Sequence, residues 1–119
     1  MNIYADIILD HYQNPRNFVK LKTLTSEVEL NNPFCGDKMT MQILSKNGEV
    51  VDIAFQGEGC AISIASASIL TTFAKGKNLD DLAKFSSRDM LGLLGIELTP
   101  TRMKCALLSW EGLKKLVKN

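Results

Sequence analysis

The sequence predicts an α+β domain: a three-stranded antiparallel sheet with one face covered by helices, a short N-terminal helix and a long C-terminal helix. Three observations carry this. Residues 25–30, 38–45 and 50–56 alternate apolar and polar side chains, the period of strands buried on one face. Asn47-Gly48, between the second and third of these runs, suits a two-residue type I′ hairpin turn because both residues tolerate positive φ. Residues 61–75 and 99–118 instead repeat apolar side chains every three to four positions, as amphipathic helices do.

The chain has 119 residues, which fits a single domain over 1–119 with a core that needs no disulfide staples. Hydrophobic content of 45% and charged content of 23% are those of an ordinary globular protein. The net charge is +1, so bulk electrostatics give no reason to expect nucleic acid or an anionic membrane as partner. No apolar run approaches the roughly 20 residues of a membrane helix. The start, Met1-Asn2-Ile3-Tyr4-Ala5-Asp6, lacks the basic region and apolar core of a secretory signal, which makes a cytoplasmic chain the simplest reading.

Taken in order, Ile3, Ile7, Ile8 and Tyr12 are spaced for a short amphipathic helix that Asn14-Pro15 ends. His11, the only histidine, reads as a packed or surface residue on that helix rather than a ligand. Residues 16–22 form a connection. The first strand carries Val28 and Leu30 inward, the second Met39, Met41 and Ile43 opposite Thr40 and Gln42, and the third Val51, Ile53 and Phe55 opposite Asp52, Ala54 and Gln56. The helix from Ala61 to Lys75 presents Ile62, Ala65, Ile69, Leu70, Phe73 and Ala74, and Gly76 closes it. Two short helical pieces follow over 79–94, opened by Asn78 and by Ser86 or Ser87, with Gly95 ending the second. Thr99-Pro100-Thr101 starts the last helix, whose stripe is Met103, Leu107, Trp110, Leu113 and Val117, with Ala106 alongside. Cys105 falls off that stripe, near Ser109 and Gly112.

The three cysteines, Cys35, Cys60 and Cys105, are widely spaced and form no Cys-x-x-Cys pair. In a reducing compartment such residues are buried, reactive or metal-bound more often than bridged. Cys35-Gly36-Asp37 sets a thiol and a carboxylate on one turn, after Pro33 and around a flexible glycine. Cys60 follows Gly57-Glu58-Gly59, whose glycines allow close approach and motion, and opens a helix, where free N–H groups and the helix dipole favour a thiolate. Cys105 lies one turn into the final helix beside Lys104, whose charge is expected to lower its pKa. Cys35, Asp37, Cys60 and Cys105 thus offer three thiolates and one carboxylate, a donor set for tetrahedral zinc or for the two irons of a 2Fe-2S cluster.

Asn32-Pro33-Phe34-Cys35-Gly36-Asp37, Gly57-Glu58-Gly59-Cys60-Ala61-Ile62-Ser63 and Lys104-Cys105, in this order, resemble the U-type iron–sulfur assembly scaffolds, the IscU, SufU and NifU N-terminal family. Leu9-Asp10-His11-Tyr12-Gln13-Asn14-Pro15-Arg16-Asn17 is similar to that family's amino-terminal segment, and Ala65-Ser66-Ala67-Ser68 to its following helix. The resemblance implies a scaffold rather than a turnover enzyme, monomeric or dimeric. It would take sulfur from a cysteine desulfurase as a persulfide on Cys105 or Cys35, assemble a transient 2Fe-2S cluster on the four ligands, and pass it to recipient apoproteins. The alternative is a SufU-like, zinc-dependent sulfur acceptor that activates a desulfurase, with zinc in the same site. IscU proteins typically have a His before the third cysteine, whereas this chain has Lys104, as SufU-type proteins do. The span from Cys60 to Cys105 is too short for the insertion that SufU-type proteins carry there. Residues 98–104 match only in part the Leu-Pro-Pro-Val-Lys segment that engages an Hsp70-type chaperone, which weakens the case for that partner.

Overall fold

The computed structural model describes residues 3–33 and 35–118; Phe34 of the cysteine turn, and Met1 and Asn2 at the start, lie outside them. The expected architecture is present. Helix α1 (Ile3–Gln13) precedes strands β1 (Ser26–Asn32), β2 (Asp37–Lys46) and β3 (Glu49–Glu58), and helices α2 (Ala61–Ala74), α3 (Leu79–Ala83), α4 (Ser87–Leu94) and α5 (Pro100–Val117) follow. The strands pair antiparallel in the order β1-β2-β3. Asn47 and Gly48 take φ of 54° and 80° at the β2–β3 turn, the conformation foreseen for that pair.

Caps fix the helix ends. Asn78 accepts the Asp80 N–H at 2.7 Å, Ser86 forms a reciprocal capping box with Asp89, and Thr99 accepts the Arg102 N–H ahead of Pro100. Helix α2 packs against α1, α4, α5 and β3. It is therefore buried nearly all round, which suits its run of Ala and Ser.

Two expected faces are corrected. In β3, Val51 is 47% exposed and Val50 buried, because a register shift at Leu44/Ser45 inserts a residue and inverts the alternation. In α5, the inward residues are Cys105, Ala106, Leu108, Ser109, Gly112, Leu113 and Leu116, whereas Met103 is exposed and Leu107, Trp110 and Val117 are half-buried. A Cβ at Gly112 would collide with Leu30 Cδ1 and lie 2.6 Å from Met41 Sδ. The helix sits close on the sheet through its small residues, so Cys105 belongs to the core-facing side after all.

The apolar residues assigned to α1 are also mostly outside. Ile8 is buried, but Ile3, Ile7 and Tyr12 are exposed. The polar side of the sheet is partly covered too: Gln42 is buried, accepting the Leu21 N–H and donating to Glu27 Oε1, both at 2.8 Å. No helix among the described residues is long and apolar enough to cross a membrane.

Helix α1 is tied to α2 through His11. Its Nδ1 lies 2.7 Å from Ser68 Oγ, which also accepts the Arg16 N–H at 2.8 Å. That arrangement suits a neutral imidazole accepting the Ser68 hydroxyl proton. Burial and the Arg16 charge hold the His11 pKa below its ordinary 6.5, against a weaker opposite pull from Asp10. The unfolded chain therefore takes up this proton first as pH falls. The stabilisation is complete above pH 6.5 and is lost as pH drops through the folded-state pKa. A proton NMR titration of the His11 ring should give a midpoint below 6.5, with faster amide exchange in α1 on the acid side. A midpoint above 6.5 would contradict the contact.

Candidate metal centre

Asn32 and Asp37 face each other as the last ladder pair of β1 and β2, which puts Cys35 and Gly36 at the tip of that hairpin. The Cys35 N–H donates to Asn32 O at 3.3 Å, and Gly36 takes a φ of 71°, in the left-handed region that favours glycine. This short link leaves Cys35 half-buried at the tip and turns Asp37 inward, where it is fully buried.

A buried carboxylate needs partners. Asp37 Oδ1 accepts the Cys60 N–H at 3.0 Å, and Oδ2 lies 3.4 Å from Asn32 Nδ2. Cys60 is the N-cap residue of α2, and Asp37 satisfies its N–H from outside the helix. Gly59 makes the approach feasible. A Cβ there would collide with Ser63 Oγ and lie 2.8 Å from Asp37 Oδ1.

Cys105 reaches the same place from the second turn of α5. Its Sγ lies 3.0 Å from Cys35 Sγ and 3.8 Å from Asn32 Nδ2. Cys35 Sγ, a carboxylate oxygen of Asp37 and Cys105 Sγ all fall within 4.8 Å of one another. The Cys60 sulfur is not among the atoms that meet this closely. Cys60 borders the group through its backbone bond to Asp37, with its thiol 3.8 Å from Ser63 Oγ. Tetrahedral zinc with Zn–S bonds of about 2.3 Å sets its sulfur donors about 3.8 Å apart, so the converging donors suit such an ion by type, and the two thiols, 3.0 Å apart, would open slightly to hold it.

The thiols differ in proton affinity. Burial opposes the Cys60 thiolate, but the Ser63 N–H, the Cys105 thiol and the Ser63 hydroxyl bond to it and together hold its pKa below the usual thiol value. Cys105 goes the other way: burial first, then the Cys35 and Cys60 thiols beside it, push it far above that value. The expected lowering by Lys104 does not occur. Lys104 is exposed and one residue away on a helix, about 100° around from the buried Cys105. His11 is bonded to Ser68 and takes no part in the cluster.

Three residues that border the cluster carry no role in the sequence pattern alone. Ser63, three residues into the helix from Cys60, was legible as a Cys-x-x-Ser spacing at a helix start. Asn32 was legible by counting the ladder back across the hairpin from Asp37. Ser109, one turn beyond Cys105, has a buried Oγ without a hydrogen-bond partner among the described residues, and the corrected face of α5 accounts for its burial.

The NifU-like N-terminal domain matches residues 3–119. The chain is 38% identical to the zinc-dependent sulfurtransferase SufU of Bacillus subtilis, over 95% of this chain and 88% of that one. It is 36% identical to the iron–sulfur cluster assembly scaffold protein IscU 1 of Archaeoglobus fulgidus, over 97% and 74% respectively. Among solved structures it superposes with a TM-score of 0.82 and 26% identity on a proposed iron–sulfur cluster assembly scaffold protein for the SUF system from Fervidobacterium islandicum, covering 95% of each chain. With its antiparallel sheet, its helical cover and its cysteine–aspartate cluster, the chain belongs to the NifU-like N-terminal domain family, together with proteins named IscU and SufU.

Proposed function

We propose that this protein is a scaffold that accepts sulfur from a cysteine desulfurase, assembles a 2Fe-2S cluster on Cys35, Asp37, Cys60 and Cys105, and passes it to apoproteins. The observation that carries this reading is the convergence of Cys35, Asp37 and Cys105 within 4.8 Å, with Cys60 bonded to Asp37 at their border. Thiolates are the usual ligands of iron–sulfur clusters. Of the two candidate persulfide acceptors, Cys35 is half-buried at a hairpin tip, whereas Cys105 is fully buried with a strongly held proton. Cys35 is therefore the first acceptor. Its thiolate attacks the outer sulfur of the desulfurase persulfide; a new S–S bond forms on Cys35, the old one breaks, and the desulfurase cysteine leaves as a thiolate with no net oxidation.

A second reading, a zinc-dependent sulfur acceptor, is favoured by Lys104 preceding Cys105 and by the likeness to SufU. In it, zinc on the same residues masks the thiolates until a desulfurase ligand displaces one of them. A metal count on protein purified without air, followed by anaerobic reconstitution with ferric iron and sulfide, separates the two. The scaffold takes up iron and sulfide in equal amounts with new visible absorption. Tightly held zinc and no stable chromophore would overturn the scaffold reading in favour of the acceptor.

A further inference from the structure

Asn32 ends β1 directly opposite Asp37 and is only 6% exposed. A carboxamide so buried must place its N–H groups on acceptors. Its Nδ2 carries two of them, and it lies 3.4 Å from Asp37 Oδ2 and 3.8 Å from Cys105 Sγ. One amide nitrogen thus bridges a carboxylate at the start of β2 and a sulfur in the second turn of α5, groups far apart in sequence. The other carboxylate oxygen accepts the Cys60 N–H, so the path Cys60–Asp37–Asn32–Cys105 is continuous across the starts of α2 and β2, the end of β1, and α5.

We infer that Asn32 is a positioning residue for the metal centre, holding Asp37 and Cys105 in register before any ion arrives and keeping an N–H on the Cys105 sulfur afterwards. The inference rests on the ligand set proposed above and assigns a function to a residue outside it. Two consequences follow from the chemistry of the donor. Nδ2 donates only, so it favours the electron-rich forms of both partners, carboxylate and thiolate, which are the forms that ligate. An N–H on a ligating sulfur also draws charge from it, which weakens its donation to the metal and raises the energy of sulfur-to-metal charge transfer.

The experiment is an anaerobic titration with cobalt(II) alone, comparing the parent with Asn32→Leu, which keeps the side chain's size and removes both donors. Loss of a partner that orients metal ligands typically costs about 10–100-fold in affinity, and that loss is expected here. The sulfur-to-cobalt charge-transfer band should also move to longer wavelength, a change that a packing role alone would not produce. Parent-like affinity and band position in Asn32→Leu would overturn the inference. Asn32→Ala carries the same comparison if leucine prevents folding, as judged by circular dichroism. A direct reading needs no variant: in the parent loaded with cadmium-113, scalar coupling between the metal and the Asn32 side-chain amide protons reports the N–H···S bond, and its absence with cadmium bound would overturn it. If the parent shows no thiolate charge transfer with cobalt, the ligand set falls and the Asn32 role with it; if only the variants match the parent, the ligand set stands and the Asn32 role falls.

Discussion

Gly57→Ala should unfold at least about 10 °C below the parent, a loss of about 3 kcal/mol or more. Gly57 pairs with Met39 across β2 and β3 and takes a φ of 156°. A Cβ at this position would collide with the Lys38 carbonyl oxygen and lie 2.9 Å from Met39 Cα. Both are backbone atoms, so no rotamer change relieves them; the strands must separate. They would separate where it matters most, because Lys38 adjoins Asp37 and Gly57 leads through Glu58 and Gly59 to Cys60. Metal affinity should fall together with stability. Gly48→Ala is the control: its φ of 80° also disfavours alanine, but nothing lies within 4 Å of the new Cβ. It should cost only about 1–2 kcal/mol of left-handed strain. If the two variants melt within a few degrees of each other, the close approach at Gly57 is not what that glycine serves.

This result would also revise what Gly57-Glu58-Gly59 means. Read from sequence, the flanking glycines allow close approach and motion around Cys60. The structure supplies approach: Gly57 meets the backbone of β2, and Gly59 admits Asp37 to the start of α2. Periodicity, caps and turn chemistry made the element order, the Asn47-Gly48 hairpin and the helix boundaries legible, since each depends on local sequence. Side-chain facing was less legible, because it depends on what packs opposite. In β3 a bulge inverted the alternation at Val51. In α5 the larger residues Met103, Leu107 and Trp110 suggested a stripe, yet the inward face includes the small Ser109 and Gly112, and Gly112 permits contact with Leu30 and Met41. Cys105 was singled out for lying off the apolar stripe, and it meets Cys35 because it lies on the buried face. The convergence of Cys35, Asp37 and Cys105 could not be obtained from spacing, because it requires a hairpin tip and a helix far apart in sequence to meet.

Asp37→Ala is expected to destabilise the metal-free protein and yet prolong the life of a reconstituted cluster. In the metal-free state both carboxylate oxygens have partners, Oδ1 with the Cys60 N–H and Oδ2 with Asn32 Nδ2. Removing the carboxylate leaves one buried and one part-buried donor without this acceptor, at a cost of about 1–3 kcal/mol and therefore several degrees of melting temperature. In the loaded state proposed here, Asp37 is the one hard ligand in a soft set and contributes least to holding iron and sulfide. The deletion thus harms the empty state more than the full one. The same hydrogen bonds that stabilise the empty site provide a destination for the carboxylate when cargo leaves. If about 1 kcal/mol of that stabilisation acts on release, the variant should lose its visible absorption under a chelator about fivefold more slowly than the parent. Melting of the metal-free proteins and decay of the reconstituted ones are measured separately, so both signs can be checked. A variant that loses its chromophore as fast as the parent, while melting several degrees lower, would show that Asp37 caps α2 without governing release.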